Sequence, residues 1–319
     1  MAFRYDEIGQ RLKAYRLGSG LSADELARKI GISRTALYRF EQGELAKIDT
    51  LERLADLLGV SIPTLLGVGI EYIPSAVSYF ERVRQIEETA EQIVILSGPI
   101  SFLLASDDFQ TTLEEVLTEN AARAAVQAER ARSDIPKIMA LLRERKELYR
   151  KRQPSIVNMM SAFEIERFLD HGFVGRKGLP DAVLARRKAL ARAEINHFAT
   201  MIEQQPIGIQ IGIVPDTLPH LGFQLFRQPD RKLLVMSPFR LGGEPNVRVG
   251  VAMITSAPEA IALHEEAIDE MWNRSIKGEA AARCLREMLA RDGNPADADQ
   301  RMRWDAPARD ASLGTRKFR

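Results

Sequence analysis

Apolar residues in the first seventy positions recur at three- and four-residue spacing, in short bursts separated by glycine. Over 6–16 the burst places Ile8, Leu12 and Tyr15 on one helical face, and Leu17-Gly18-Ser19-Gly20 ends it. Ser22-Ala23-Asp24-Glu25 has the form of a capping box, in which the serine hydroxyl accepts from the Glu25 N–H while the glutamate reaches back. The helix it opens turns Leu26 and Ile30 inward and stops at Gly31, a residue that tolerates positive φ. Ser33 is placed to cap the next helix, 34–42, whose apolar face is Leu37 with Phe40 and whose end is marked by Gly43. A fourth helix over about 50–58 buries Leu51, Leu54, Ala55 and Leu58. A short fifth follows, with Ser61 as cap and Pro63 in its first turn, where a missing N–H is harmless.

Beyond Gly67-Val68-Gly69 the pattern mixes two periods. Helical spacing covers 79–92, 111–132, 134–152 and 182–204, and a last helical pair covers 258–276 and 279–290. Between them lie β-branched or alternating runs at 93–96, 155–160, 207–214, 223–226, 232–236 and 247–254. The pattern predicts an all-α N-terminal domain over 1–70, joined to a larger mixed α/β domain over 71–291 with five or six strands. Residues 292–319, rich in Asp, Arg, Ala and Pro, are expected to form a mobile tail.

Two short helices joined by a tight glycine-containing turn, 23–30 then 34–42, make a helix-turn-helix arrangement. In that arrangement the first helix braces against the DNA backbone, and the second offers its N-terminal side chains to base edges in the major groove. Leu21-Ser22, Leu26-Ala27, Gly31-Ile32-Ser33, Leu37, Glu41 and Gly43, followed by Leu51, Leu54-Ala55 and Leu58-Gly59-Val60, carry a resemblance. Over residues 6–67 they resemble the skeleton of the Cro/repressor (XRE-type) helix-turn-helix regulators. The resemblance implies a lambda-repressor-like domain of five helices whose recognition helix starts at Ser33. It puts base contact on Arg34, Thr35 and Arg39, with Tyr38 between them. An arginine there can bond bidentately to guanine, and Thr35 can meet a thymine methyl or a phosphate. Arg16 and Glu41 match a pair that ties the first and third helices together in relatives, which implies a structural role. One position departs: many relatives begin the bracing helix with a phosphate-holding Gln, and here Ala23 stands in its place. Phosphate positioning then falls to N–H groups at helix starts and to Arg11, Lys13 and Lys47.

Composition changes this picture mainly by exclusion. With 319 residues, 45% of them hydrophobic, the chain can bury a core without disulfides or structural metal, and its single Cys284 has no internal partner. Forty-five Lys and Arg against 44 Asp and Glu leave a net charge of +1, so binding to a polyanion must come from local arrangement. Residues 1–70 hold ten basic and nine acidic groups, yet the row Arg34, Thr35, Tyr38, Arg39 contains no acid. No run approaches the ~18 apolar residues of a membrane span and no secretory signal is evident, so a cytoplasmic, nucleoid-associated protein without a membrane partner is expected.

Residues 123–152 carry ten Lys and Arg against four acids. That segment is either a solvated helix face or a source of phosphate contacts or anion binding, since Arg143, Lys146 and Arg150 fall on one stripe. Arg186, Arg187, Lys188 and Arg192 form a second cluster.

His264-Glu265-Glu266-Ala267-Ile268 opens like a zincin helix, but the second histidine is replaced by Ile268. His171, His197, His220 and His264 are scattered without ligand spacing, so neither a metal nor a cofactor is expected. No nucleophile, base and orienter can be assembled, which argues against an enzyme. The order of elements over about 180–290 is loosely similar to effector or sensor domains behind XRE-type helix-turn-helix domains in longer regulators. Near the strand ends, Phe223, Phe226, Met236, Phe239 and Trp272 either line a small-molecule pocket or pack the core.

The function this predicts is a sequence-specific DNA-binding transcriptional regulator, with a second domain that pairs subunits and senses a small-molecule effector. One recognition helix makes few base contacts, so a homodimer or higher even oligomer on a palindrome-like operator is expected. The rivals are an antitoxin-like autoregulator binding a protein partner, and an enzyme regulated by its helix-turn-helix module.

Overall fold

The computed structural model describes residues 4–44, 46–96, 98–121, 128–215 and 222–291. Helices α1 (Tyr5–Ser19), α2 (Ala23–Ile30), α3 (Arg34–Glu41), α4 (Ile48–Leu58) and α5 (Ile62–Leu66) follow one another over short turns. Their ends are set chemically. Ser22 and Glu25 form the reciprocal capping box of α2, Gly31 closes that helix at φ +72°, and Ser33 and Ser61 cap α3 and α5. Leu12, Leu26, Ile30, Leu37 and Leu54 interlock as a small core between α1, α2, α3 and α4.

The chain then enters β1 (Ile70–Ile73), α6 (Ala76–Glu87), β2 (Gln92–Leu96), α7 (Asp107–Ala121) and α8 (Ala128–Arg152). Next come β3 (Ser155–Ser161), α9 (Ala162–His171), α10 (Asp181–Gln204), β4 (Ile209–Val214), β5 (Phe223–Gln228) and β6 (Arg231–Met236). The last elements are β7 (Ala252–Thr255), α11 (Pro258–Arg274), β8 (Ile276–Lys277) and α12 (Gly278–Arg291). These strands form one eight-stranded sheet in the order β1-β7-β6-β5-β2-β3-β4-β8. Only β2, β3 and β4 run parallel; every other neighbouring pair is antiparallel. One sheet face lies under α6, α7, α8 and α10 in the main core, while α11 covers part of the other through Ile261 and Ile268.

Several expectations shift for physical reasons. β1 went unpredicted because its alternation runs against hydrophobicity: Glu71 and Ile73 are buried while Ile70 and Tyr72 are exposed. The helix expected over 79–92 stops at Glu87, since Gln92 already belongs to β2. The helix expected over 111–132 ends at Ala121; residues 122–127, among them Arg123, lie outside the described residues. The following helix starts at Ala128 and runs through Pro136. The strand expected from 207 begins at Ile209, after Gly208 at φ +82° and a fully exposed Ile207. Of the run 247–254 only the end is strand, because Asn246 draws the earlier part into a turn by bonding to the Pro238 and Val249 carbonyls. α9 and the two-residue β8 were not foreseen. The expected tail, 292–319, and His220 lie outside the described residues.

One helix links the two parts of the chain. Every residue of α6 except Arg84 is buried. Towards α1, Arg82 gives two hydrogen bonds to Glu71 (2.8 and 3.1 Å), and Arg11 bridges Glu71 (3.2 Å) and Glu7 (3.1 Å). Gln85 donates to the Gln10 carbonyl, Arg231 of β6 donates to Glu7, and the Tyr15 hydroxyl donates to the Tyr72 carbonyl. Tyr15, Ala55 and Leu65 join Ile73, Val77 and Phe80 in the main core, so apolar packing is continuous across the junction. No helix among the described residues is long and apolar enough to cross a membrane.

Candidate nucleic-acid interface

α3 is anchored by a single fully buried side chain, Leu37, and held from below by close backbone approach. Gly9 makes that approach possible: a Cβ there would lie 2.5 Å from the Phe40 carbonyl oxygen and 2.6 Å from that of Glu41. Arg16 adds a two-pronged ion pair, donating from Nε and Nη2 to the Glu41 carboxylate at 2.5 and 3.0 Å. Arg53 of α4 donates to the Ile30 carbonyl at 2.7 Å, locking the end of α2 against α4.

With its inner side committed, α3 turns Arg34, Thr35, Tyr38 and Arg39 to solvent. Arg34 is held by three contacts. It donates to the Tyr38 hydroxyl (3.1 Å from Nη2), pairs with Asp24 (3.2 Å), and lies 5.3 Å over the Tyr38 ring. Bonding to Tyr38, and then the Asp24 charge, push the Arg34 guanidinium above its ordinary range. Arg39 pairs with Glu44 at 3.4 Å. The sequence row is free of acids, but Asp24 from the first turn of α2 and Glu44 from beyond α3 reach it. Both pairs are exposed, so they are weak and exchangeable for phosphate or base contacts.

Ser33 caps α3 by accepting from the Ala36 N–H at 3.1 Å. Ser33→Ala is expected to cost about 1 kcal/mol and to fray the turn that presents Arg34 and Thr35. Thermal unfolding and operator affinity would both fall; a variant unchanged in both contradicts the role. Lys47 is exposed at the N-terminus of α4.

One phosphate assignment needs correction. Arg11 is 7% exposed and engaged with Glu7 and Glu71 in the junction, so it is out of reach of a DNA backbone. Lys13 lies 3.6 Å from the buried Glu81 of α6, on the side of α1 turned to the sheet domain. Arg11 carries its charge to the junction, whereas the Lys13 side chain is 43% exposed beside it.

Within the basic segments Arg145, Lys146 and Arg187 turn inward, while Arg130, Arg132, Lys137, Arg143, Arg150, Lys151, Arg152 and Arg186 stay exposed. Arg145 is buried against Glu87, and Lys146 is buried against Asp107 and the Ser106 carbonyl, so Arg143, Lys146 and Arg150 form no common solvated stripe. Arg187 is 1% exposed and bonded to Glu119, while Arg186 pairs with Glu115 and Arg192 donates to the Leu289 carbonyl. The missed signal was periodic: Ile138, Leu142 and Arg145 occupy one helical row, and an arginine in an apolar row is a buried ion-pair partner.

The five aromatic and methionine candidates divide between the two sheet faces: Phe223, Met236 and Trp272 share the cluster under α11, and Phe226 and Phe239 lie in the main core. Phe239 borders a cavity beside β2 and Phe226 is buried in the main core, while Phe223, at the cavity's edge, packs in the cluster on the opposite sheet face. Met236 packs against the cluster on the opposite sheet face, and Trp272 borders a separate groove beside β4 and β8. His264 turns its Nδ1 to the Ala260 carbonyl and its ring edge-on to Phe223. Among the described residues no group of three or more His, Cys, Asp or Glu is placed to hold a metal ion.

Residues 7–66 match a family model described as a helix-turn-helix domain. With α2, its tight turn and the exposed α3 in place, this N-terminal part is an XRE-like helix-turn-helix domain. Among curated relatives, the HTH-type transcriptional regulator SinR of Bacillus subtilis is 41% identical over 61 residues, covering 18% of this chain and 55% of that one. SinR of Bacillus licheniformis gives the same figures. A protein of Pyrobaculum aerophilum with an HTH-type regulatory name is 38% identical over 55 residues, 17% of this chain and 22% of that one. The chain thus spans little more than half the length of the SinR proteins and about a fifth of the Pyrobaculum one. The apo form of ComR from S. Thermophilus aligns over 62% of this chain and 73% of its own, at 17% identity and a TM-score of 0.19, too low to bear on the second domain.

Proposed function

We propose that the protein is a sequence-specific DNA-binding transcriptional regulator that reads a palindrome-like operator as a homodimer or higher even oligomer. The observation that carries this reading is the exposure of Arg34, Thr35, Tyr38 and Arg39 on a helix fixed from behind by Leu37 and the Arg16–Glu41 pair. Arg34 and Arg39 supply bidentate donors for guanine, Thr35 and Tyr38 the neighbouring contacts, and Lys47 a phosphate contact. A single α3 spans too few base pairs for useful selectivity, which is why two half-sites and paired subunits are part of the proposal. The larger α/β domain pairs the subunits and carries an effector site. The reading assigns the chain no catalytic reaction and places its work in the cytoplasm, on the nucleoid.

The test is selection of genomic fragments by the full chain, followed by titration of the recovered operator at fixed salt. Arg34→Ala and Arg39→Ala are each expected to weaken operator binding roughly tenfold or more and to relax preference at one base pair. Lys47→Ala is expected to weaken all sequences alike and to lessen the salt dependence. The mass of the complex should correspond to an even number of protomers. Unchanged affinity and preference in both arginine variants would remove α3 as the reading element.

A further inference from the structure

A cavity of about 390 Å³ opens at the carboxyl end of β2. There the sheet changes character: β2 pairs parallel with β3 on one side and antiparallel with β5 on the other. The cavity lies on the antiparallel side of that boundary, lined by residues of β2, β5 and β6. The volume lies within the small-molecule range of about 300–1,000 Å³. Its walls are mainly apolar and aromatic, with Tyr79 and Phe80 from α6, Ile95 from β2, Phe102 from the loop beyond it, Val235 from β6, and Phe239.

The charges around it cancel. Arg145 donates two bonds to Glu87 (2.9 and 2.7 Å) and stands over the Phe80 and Phe102 rings, so its charge is already matched. The other wall charges are one of each sign, Glu164 and Arg240. Gln224 supplies the specific polar feature: its side chain lines the cavity, and its Oε1 is buried without a hydrogen-bond partner. A buried amide oxygen left unpaired is costly, and a donor on a ligand would satisfy it.

We infer that this cavity is the effector site, taking an uncharged, mainly aromatic or apolar molecule with a hydrogen-bond donor, and that occupancy is felt by the helix-turn-helix domain through α6; this rests on the regulator reading above. The route is short. Tyr79 and Phe80 face the cavity, while Ser78, Arg82 and Gln85 of the same helix hold α1: Gly18 lies tight against Ser78, Arg82 meets Arg11 through Glu71, and Gln85 bonds to the Gln10 carbonyl. A ligand that shifts α6 shifts the platform on which α3 rests. Regulation follows to the extent that the ligand prefers one setting of α6 over another.

The probe is N-phenyl-1-naphthylamine, an uncharged aromatic amine with one N–H, titrated into the full chain and followed by its fluorescence. Saturable binding of one probe per chain is expected, with the anionic 8-anilino-1-naphthalenesulfonate at least tenfold weaker. Ile100→Trp, which fills the cavity, should abolish binding. Gln224→Leu should weaken it roughly fivefold, and Ile207→Trp, at a fully exposed position, should leave it unchanged. On saturation, hydrogen exchange in α1 should change together with that in α6. Thermal melting checks the fold of each variant, and if Ile100→Trp fails to fold, Gln224→Leu decides.

Non-saturable binding, preference for the sulfonate, or indifference to Gln224→Leu would overturn the site. An exchange response that leaves α1 unaltered would overturn its regulatory role. Operator titration of the unliganded chain stands apart: its failure would sink the regulator reading without touching the cavity.

Discussion

Replacing Glu71 by alanine should cost about 3–5 kcal/mol of stability, because it removes the one carboxylate shared by two buried guanidinium groups. Glu71, Arg11 and Arg82 are all below 9% exposed, and Glu71 accepts from both arginines. Burial, and then the neighbouring Arg82 charge, already hold the Arg11 guanidinium below its ordinary range. Without Glu71, Arg11 keeps Glu7 as its partner and Arg82 keeps only the neutral Gln85.

The loss falls at the junction, so the variant is expected to unfold in two steps in urea, with α1–α5 released first. A single transition at the wild-type midpoint would contradict the account. The same cluster sets an acid limit. Burial would raise the Glu7 carboxyl, but bonding to Arg231 and Arg4 outweighs it and the net shift is downward; Glu81 is lowered likewise against Arg84 and Lys13. For carboxylates lowered by folding, the stabilisation is complete above the unfolded value of about 4.3 and is lost as pH falls through the lower folded value. The melting temperature should therefore hold from neutrality to about pH 5 and drop below about pH 4.

The helix-turn-helix half was legible because its signals are local. Ser22 with Glu25, Ser33, Gly31 and the spacing Leu26–Ile30–Leu37 each specify a cap, a stop or an inward face within a few residues. Arg16 and Glu41 could be paired only through a resemblance, since nothing in the spacing of 25 positions requires them to meet. What failed was the assumption that charge means solvent. Arg11, Arg145, Lys146 and Arg187 are buried, each beside a carboxylate distant in sequence. Their partners Glu71, Glu87, Asp107 and Glu119 could not be matched to them before the topology was known. The inverted strand β1 failed for the same reason, because its inward residue is the Glu71 that Arg11 and Arg82 require. The effector candidates scattered because aromatic residues at strand ends divide between two sheet faces, and only the pleat, with Gln224 on one face and Phe223 and Leu225 on the other, decides which.

Glu87→Ala is the second large effect, expected at about 3–5 kcal/mol, for it strands Arg145 between two aromatic rings at the cavity wall. Burial alone would lower the Arg145 guanidinium, and the charge and bonds of Glu87 more than reverse this, leaving it raised. A pair that restores its partner so fully is costly to break from either side, yet it need not stabilise the fold relative to an apolar pair. The double variant Glu87→Leu with Arg145→Met should therefore recover most of the loss, giving a coupling energy of several kcal/mol in a double-mutant cycle of urea unfolding. Additive single effects would mean that the two side chains stabilise the protein independently, and the ion pair would lose its standing as the unit of that wall. If the double variant folds well, it also removes one of the two arginines that line the cavity. Unaltered binding of an uncharged probe in that background would then follow from the neutrality of the site, whereas its loss would make the Arg145 guanidinium a direct ligand contact.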